Sequence, residues 1–148
     1  IIMKDPIRYI RLKIIAALNG NITSNGVNVL IYNRVPSQVS YPFVRVYSVS
    51  TNAVDDNQSK YNVECITRIE VVTRFDGDSG GELTVNDIMN QITSLLVSKN
   101  QNGFDLSSYN FNCYTSQNAG ITYLEDDTSD HTYFRAILEL SNKIEQLT

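Results

Sequence analysis

The sequence predicts an α+β fold, with one mostly antiparallel β-sheet and two α-helices packed on one of its faces. Three observations predict it. Tyr61, Val63, Cys65, Thr67, Ile69, Val71, Thr73 and Phe75 share one parity, whereas Asn62, Glu64, Arg68, Glu70, Arg74 and Asp76 share the other. This alternation is the mark of a half-buried strand, whose successive side chains point to opposite faces. A second alternation follows near the end, with Thr132, Phe134, Ala136, Leu138 and Leu140 on one face and His131, Tyr133, Arg135 and Glu139 on the other. Two stretches with helical spacing, one near the start and one after residue 84, interrupt the strands without alternating regularly with them, and that order favours a sheet with segregated helices. Without an internal repeat or a linker-like segment, the 148 residues read as one domain, long enough to bury a core without disulfides or metals.

Asp5-Pro6 reads as an N-cap followed by proline at the first helical position, where the missing N–H costs nothing. Ile7, Ile10, Ile14 and Leu18 then recur at helical spacing, and Asn19-Gly20 stops the helix. Arg8, Arg11 and Lys13 lie on its wetter side, a pattern shared by core-packed helices and by membrane-surface helices; a core-packed terminal helix accounts for it. The same basic residues interrupt what would be the apolar core of a signal peptide. Asn21 to Asn25 reads as a polar turn ending at Gly26, and Val27 to Tyr32 as a short β-rich run. Pro36 and Pro42 make the next segment an edge or a connection. Phe43 to Ser50 is a strand with apolar residues of both parities, which implies burial on both faces or a bulge. Asn52 to Lys60 is the polar tip before the long strand and carries Asp55 and Asp56.

At about 3.3 Å per residue, a fifteen-residue strand reaches about 50 Å, so the long strand is expected to bend midway or to project as a hairpin. It ends in Asp76-Gly77-Asp78-Ser79-Gly80-Gly81. The string GDSGG surrounds the nucleophile of chymotrypsin-like proteases, which need a histidine and an aspartate earlier in the chain; here the single histidine, His131, comes later. Asp76, Asp78, Gly81 and Asp87 match part of a calcium-loop spacing, but Gly80 offers no ligand at position five and no glutamate stands at twelve. A glycine turn leading to a helix, with Ser79 and Glu82 as a capping box, accounts for the same residues.

Val85, Ile88, Met89, Ile92, Leu95 and Leu96 keep helical spacing, and Lys99 with Asn100 to Gly103 closes that helix. A strand follows around Phe111, Cys113 and Thr115; it breaks at Ser116 to Gly120 and resumes at Ile121 to Leu124, as one bulged strand or two short ones. Glu125, Asp126, Asp127 and Asp130 read as an acidic turn before the last strand, and Ser141 to Thr148 as a polar, fraying tail.

Composition narrows function. A formal net charge of −4 argues against non-specific DNA wrapping, which needs clustered Lys and Arg. No apolar run approaches the roughly 20 residues that span a bilayer, so no membrane partner is expected. Cys65 and Cys113 are too few for a disulfide framework or a four-cysteine zinc site and read as buried thiols. A catalytic residue, a cofactor and a metal site are therefore not expected; a lone His131 reads as a strand-edge residue.

The chain resembles the tail-completion or tail-terminator proteins of long-tailed bacteriophages. The resemblance spans nearly the whole chain: the N-terminal helix, the approach Ser40-Tyr41-Pro42-Phe43-Val44, an acidic loop, the long strand closing on Phe75-Asp76-Gly77, the helix from Val85 to Val97 and the C-terminal run HTYFRAILEL. It departs in having no Trp in the central strand and in the Asn/Ser/Tyr-rich segment from Asn100 to Asn118. The resemblance implies a homo-oligomeric ring, usually six-fold, located in the virion and assembled in the host cytoplasm. Such a ring ends growth of the tail tube, meets a head-side connector and lets DNA pass without sequence-specific binding. On that reading Asp55 and Asp56, or Glu125, Asp126, Asp127 and Asp130, form channel or interface loops. A different neck or connector ring, a non-viral binding module and a small enzyme are the competing classes.

Overall fold

The protein is described from a computed structural model, which places residues 2–54, 61–77, 79–97 and 104–147. Helix α1 (Ile7–Leu18) leads into a small hairpin, β1 (Thr23–Ser24) and β2 (Val27–Asn28), and then into β3 (Leu30–Tyr32), β4 (Phe43–Ala53) and β5 (Asn62–Asp76). Helix α2 (Leu83–Leu96), a single 3-10 turn at Ser107–Tyr109, β6 (Phe111–Cys113), β7 (Gln117–Asp127) and β8 (His131–Gln146) complete the chain. The main sheet has the order β3-β4-β5-β8-β6, and β7 lies beside β8 on the same side as β6. Among the described residues only the β3–β4 pairing is parallel, so the sheet is mixed but mostly antiparallel, and the α+β class is as expected.

The core lies between the helices and one face of the sheet. Val63, Cys65, Ile69 and Val71 of β5 share a face with Ala136, Leu138, Leu140 and Ile144 of β8, because directly paired residues in a sheet point the same way. Ile10, Ile14 and Leu18 of α1 and Val85, Ile88, Met89 and Ile92 of α2 close over them. The apolar stripe of α1 is thus buried against the sheet, which leaves it no face for a membrane surface. The Asp5 carboxylate accepts from the Ile7 N–H, although the helix starts one residue later than expected and Pro6 already has helical angles.

Several expectations need correction. The long strand does not project. β5 is central, paired to β4 along most of its length and to β8 from Asn62 to Asp76, and its length is absorbed by burial. Residues 141–146 do not fray, since β8 runs to Gln146. Ser141, Asn142, Ile144 and Gln146 are buried there, and β6 pairs with the strand end. Asn142 holds this end by donating to the Thr115 carbonyl at 3.0 Å, which draws the segment between β6 and β7 onto β8. Leu95 is exposed rather than core, having rotated past the buried stripe that Ile92 and Leu96 complete. Ser79 makes no capping box, because its hydroxyl donates to the Asp76 carbonyl inside the turn and Glu82 precedes the helix without a side-chain cap.

Two other readings resolve locally. Asn25 and Gly26 both have positive φ, the geometry of a tight hairpin turn, so the polar turn is the tip of β1–β2. A bulge at Val49 accommodates the mixed parity of β4, and another at Ala119 precedes the regular part of β7, which is a strand separate from β6. Asp55, Asp56, Asp78, Lys99 and Asn100 to Gly103 lie outside the described residues.

Candidate functional site

The acidic residues are where the corrections matter most. Glu125, Asp126 and Asp127 do not form a turn; they are the last residues of β7 and pair with Phe134, Tyr133 and Thr132 of β8. The turn is shorter and is held by Thr128, whose N–H donates to the His131 carbonyl at 2.8 Å and whose hydroxyl accepts from the His131 N–H. Strand geometry also splits the acidic cluster. Glu125 and Asp127 stand on the helix side of the sheet with Phe134 and Thr132, whereas Asp126 stands on the open side with Tyr133.

Asp126 is also compensated. Its Oδ2 lies 3.3 Å from Arg135 Nε, and Arg135 reaches back towards Glu70, which Arg45 approaches from β4 at 3.6 Å. A ladder of alternating charge, Arg45-Glu70-Arg135-Asp126, thereby crosses four strands of the open face. Beside it the Arg68 guanidinium donates to Glu139 through Nε and Nη2, and the hydrogen bond to Glu139 holds the Arg68 pKa above its usual value. The face opposite the helices is therefore a paired polar surface rather than an apolar patch.

Asp130 and Asp76 occupy the same end of the sheet as the β7 carboxylates. The Asp130 carbonyl accepts from the Gly77 N–H, Thr132 Oγ1 donates to the Gly77 carbonyl, and Asp76 Oδ1 lies 3.3 Å from His131 Nδ1. The GDSGG string acquires a structural reason here: Gly80 has φ +93°, and a Cβ at that position would overlap the Phe75 ring. Ser79 has its hydroxyl committed to the Asp76 carbonyl, which is turn geometry and not that of an activated nucleophile. Among the described residues no group of three or more His, Cys, Asp or Glu side chains is placed to hold a metal ion. Both cysteines are free and buried; burial pushes the Cys65 thiol up to about 12 and raises Cys113 as well. Among the described residues, no helix is long and apolar enough to cross a membrane.

The feature that sequence reasoning missed is the edge of the sheet. β7 is eleven residues long, yet every one is exposed except the half-buried Ile121, and no strand among the described residues pairs with its outer side. Tyr123 and Leu124, on opposite faces of that strand, are each close to half exposed. The signal was the poor alternation of Gln117 to Asp127 beside the clean alternation of β5 and β8. At the other edge β3 is three residues long and, among the described residues, pairs only with β4.

No protein-family model and no curated protein sequence matches this chain. Its fold does match a solved structure described as the virion of a native gene transfer agent particle, with a TM-score of 0.57. The match covers 93% of this chain and 90% of that one, at 13% sequence identity. The shared fold therefore extends over almost the full length of both chains.

Proposed function

We propose that this chain is a structural virion protein of a phage-like particle. It closes into a six-fold ring at the head-proximal end of a tail, ends growth of the tail tube and meets the head-side connector. DNA crosses the channel without sequence-specific contacts. The observation that carries this reading is the near-complete overlap of its fold with a chain of a gene transfer agent virion. The open edges of the sheet support it, because an uncapped edge strand is a template for pairing with another chain. No enzymatic role is needed for such an assembly.

The acidic end belongs to the same reading. Glu125, Asp127 and Asp130 put a negative girdle along the passage when repeated around the ring. Like charge keeps DNA phosphates moving past it. Native mass spectrometry and electron microscopy of the chain, alone and mixed with purified tail tubes, test the proposal. Closed oligomers of six copies capping one end of the tubes are expected. A chain that neither oligomerises nor binds tubes overturns it, and a closed ring of another size that binds only connector assigns it to a different place in the neck.

A further inference from the structure

The two open edges of the sheet fit each other. Reading the register straight across, Leu30, Phe43, Val72, Arg135 and Leu124 form one row through β3, β4, β5, β8 and β7. The next row runs from Ile31 to Tyr123 and the one after from Tyr32 to Thr122. Both ends of the first row are exposed leucines, Leu30 at 50% and Leu124 at 44%. The second row ends in Tyr123, 45% exposed, and in the half-buried Ile31. Exposed apolar side chains in register at both margins of one sheet are unusual for strands that face only water.

Strand direction agrees with this. β5 and β7 run one way and β4, β8 and β3 the other, so β7 of one copy laid beside β3 of a second copy in the same orientation is antiparallel to it. Leu124, Tyr123 and Thr122 then face Leu30, Ile31 and Tyr32 in order. Beside Leu30 a groove of about 300 Å³, lined by Val27, Tyr41 and Pro42 among others, gives a side chain of the added strand a place to enter.

Charge disfavours the symmetric arrangement. Residues 117–130 carry Glu125, Asp126, Asp127 and Asp130 and no basic residue, whereas residues 21–54 carry Arg34 and Arg45 and no acidic one. A second β7 margin therefore brings further like charge close to the first, whereas the β3 margin brings none.

We infer that β7 of one copy adds to the β3 edge of the next, extending the sheet from subunit to subunit through the row that joins Leu124 to Leu30. This rests on the ring reading above and specifies its contact. A head-to-tail contact of this kind uses two different surfaces on each copy, so it generates rings or filaments and never a closed dimer. Because β3 is short, Glu125 to Asp127 overhang it and stay uncovered.

Site-directed cross-linking tests the inference. Leu30→Cys and Leu124→Cys are made separately in the full chain and treated with a short bis-maleimide linker. The native Cys65 and Cys113 are buried and serve as a silent background. Each variant alone is expected to give no cross-link, their mixture a linked dimer, and the double variant a ladder of linked oligomers. Leu124→Glu in the chain without added cysteines should lower the oligomer fraction at least tenfold. Cross-linking of Leu124→Cys with itself overturns the inference in favour of symmetric pairing. Oligomers that form with no link between positions 30 and 124 overturn it and leave the ring standing. A chain that is monomeric alone and on tail tubes overturns both.

Discussion

β5 and β7 flank the same strand, and the same row crosses both. Val46, Ile69, Leu138 and Ile121 are paired in sequence across β4, β5, β8 and β7; the first three are fully buried and the last is half-buried. β5 has a strand on each side and helices over one face, whereas β7 has a strand on one side and, apart from the half-buried Ile121, is exposed. An overlong amphipathic strand therefore does not by itself offer an edge. Here the longest strands are interior, and the edge belongs to a strand whose pattern is weak. Burial of β5 on both of its hydrogen-bonding sides stabilises the fold, and the exposure of β7 leaves backbone groups for a partner.

The sharpest test of this contrast compares the two isoleucines of that row. Ile69→Ala is expected to cost about 2–5 kcal/mol in urea unfolding, as a large-to-small change at a fully buried site. Ile121→Ala in the dissociated chain should cost about 1 kcal/mol or less, since only part of its side chain leaves water on folding. Equal losses would mean that β7 is covered in solution and would break the comparison.

Asn142 tests the end of β8 that sits between the two regions. It is fully buried, its Nδ2 donates to the Thr115 carbonyl, and its Oδ1 has no hydrogen-bond partner among the described residues. Asn142→Ala should cost about 1–3 kcal/mol by leaving the Thr115 carbonyl with the weaker Cys113 thiol donor at 3.3 Å in place of the amide. Hydrogen exchange should quicken in Phe111–Cys113 and the start of β7 and stay slow in the middle of β5. A loss spread evenly over the sheet would mean that Asn142 supports the core as a whole.

Cys65 gives a pH test confined to the β5 side. Burial lifts its thiol from 9.0 to about 12, so between those values the unfolded chain releases a proton that the folded chain keeps. Stability must then fall as pH rises through that window and be unaffected by this group below it. Cys65→Ala should give a shallower decline from pH 9 upwards when both chains are unfolded in urea across that range. Identical slopes would show that the thiol ionises as freely in the fold as outside it.

How much of this was legible beforehand follows from what a one-dimensional pattern contains. The two helices and the long strands were readable because burial on one face imposes a period, as in Val85-Ile88-Met89-Ile92 and in Thr132 to Leu140. The place of a strand in the sheet imposes no period. Nothing in Val63 to Val71 says that β5 is central, and nothing in Ser141 to Gln146 says that polar residues there are buried. Asn142 and Gln146 are buried because distant groups meet them: Thr115 in one case, and in the other the Lys4 N–H and the Ile2 carbonyl. The acidic cluster was visible as composition, but its division between two faces follows from a strand boundary that runs three residues further than the run of apolar residues suggested.

That division shapes the smallest expected effect. Asp126 is tied to Arg135, so reversing its charge would disturb the ladder on the open face as well as the acidic end. Glu125 and Asp127 are exposed and stand on the other face, so Glu125→Lys with Asp127→Lys isolates the acidic end. In the single chain this pair should change stability by no more than about 0.5 kcal/mol, as surface substitutions away from buried partners do. The consequence is expected only in the assembled particle, where the same two changes repeat in every copy and turn a repelling margin into one that binds phosphate. Particles carrying them should assemble normally and release DNA more slowly, with the delay shrinking as salt is raised, because added ions screen charge over about 10 Å at 0.1 M. Normal release at low salt would take these carboxylates off the DNA path. A ring that fails to form would instead place them in the contact between copies, beyond the short strand proposed to receive β7.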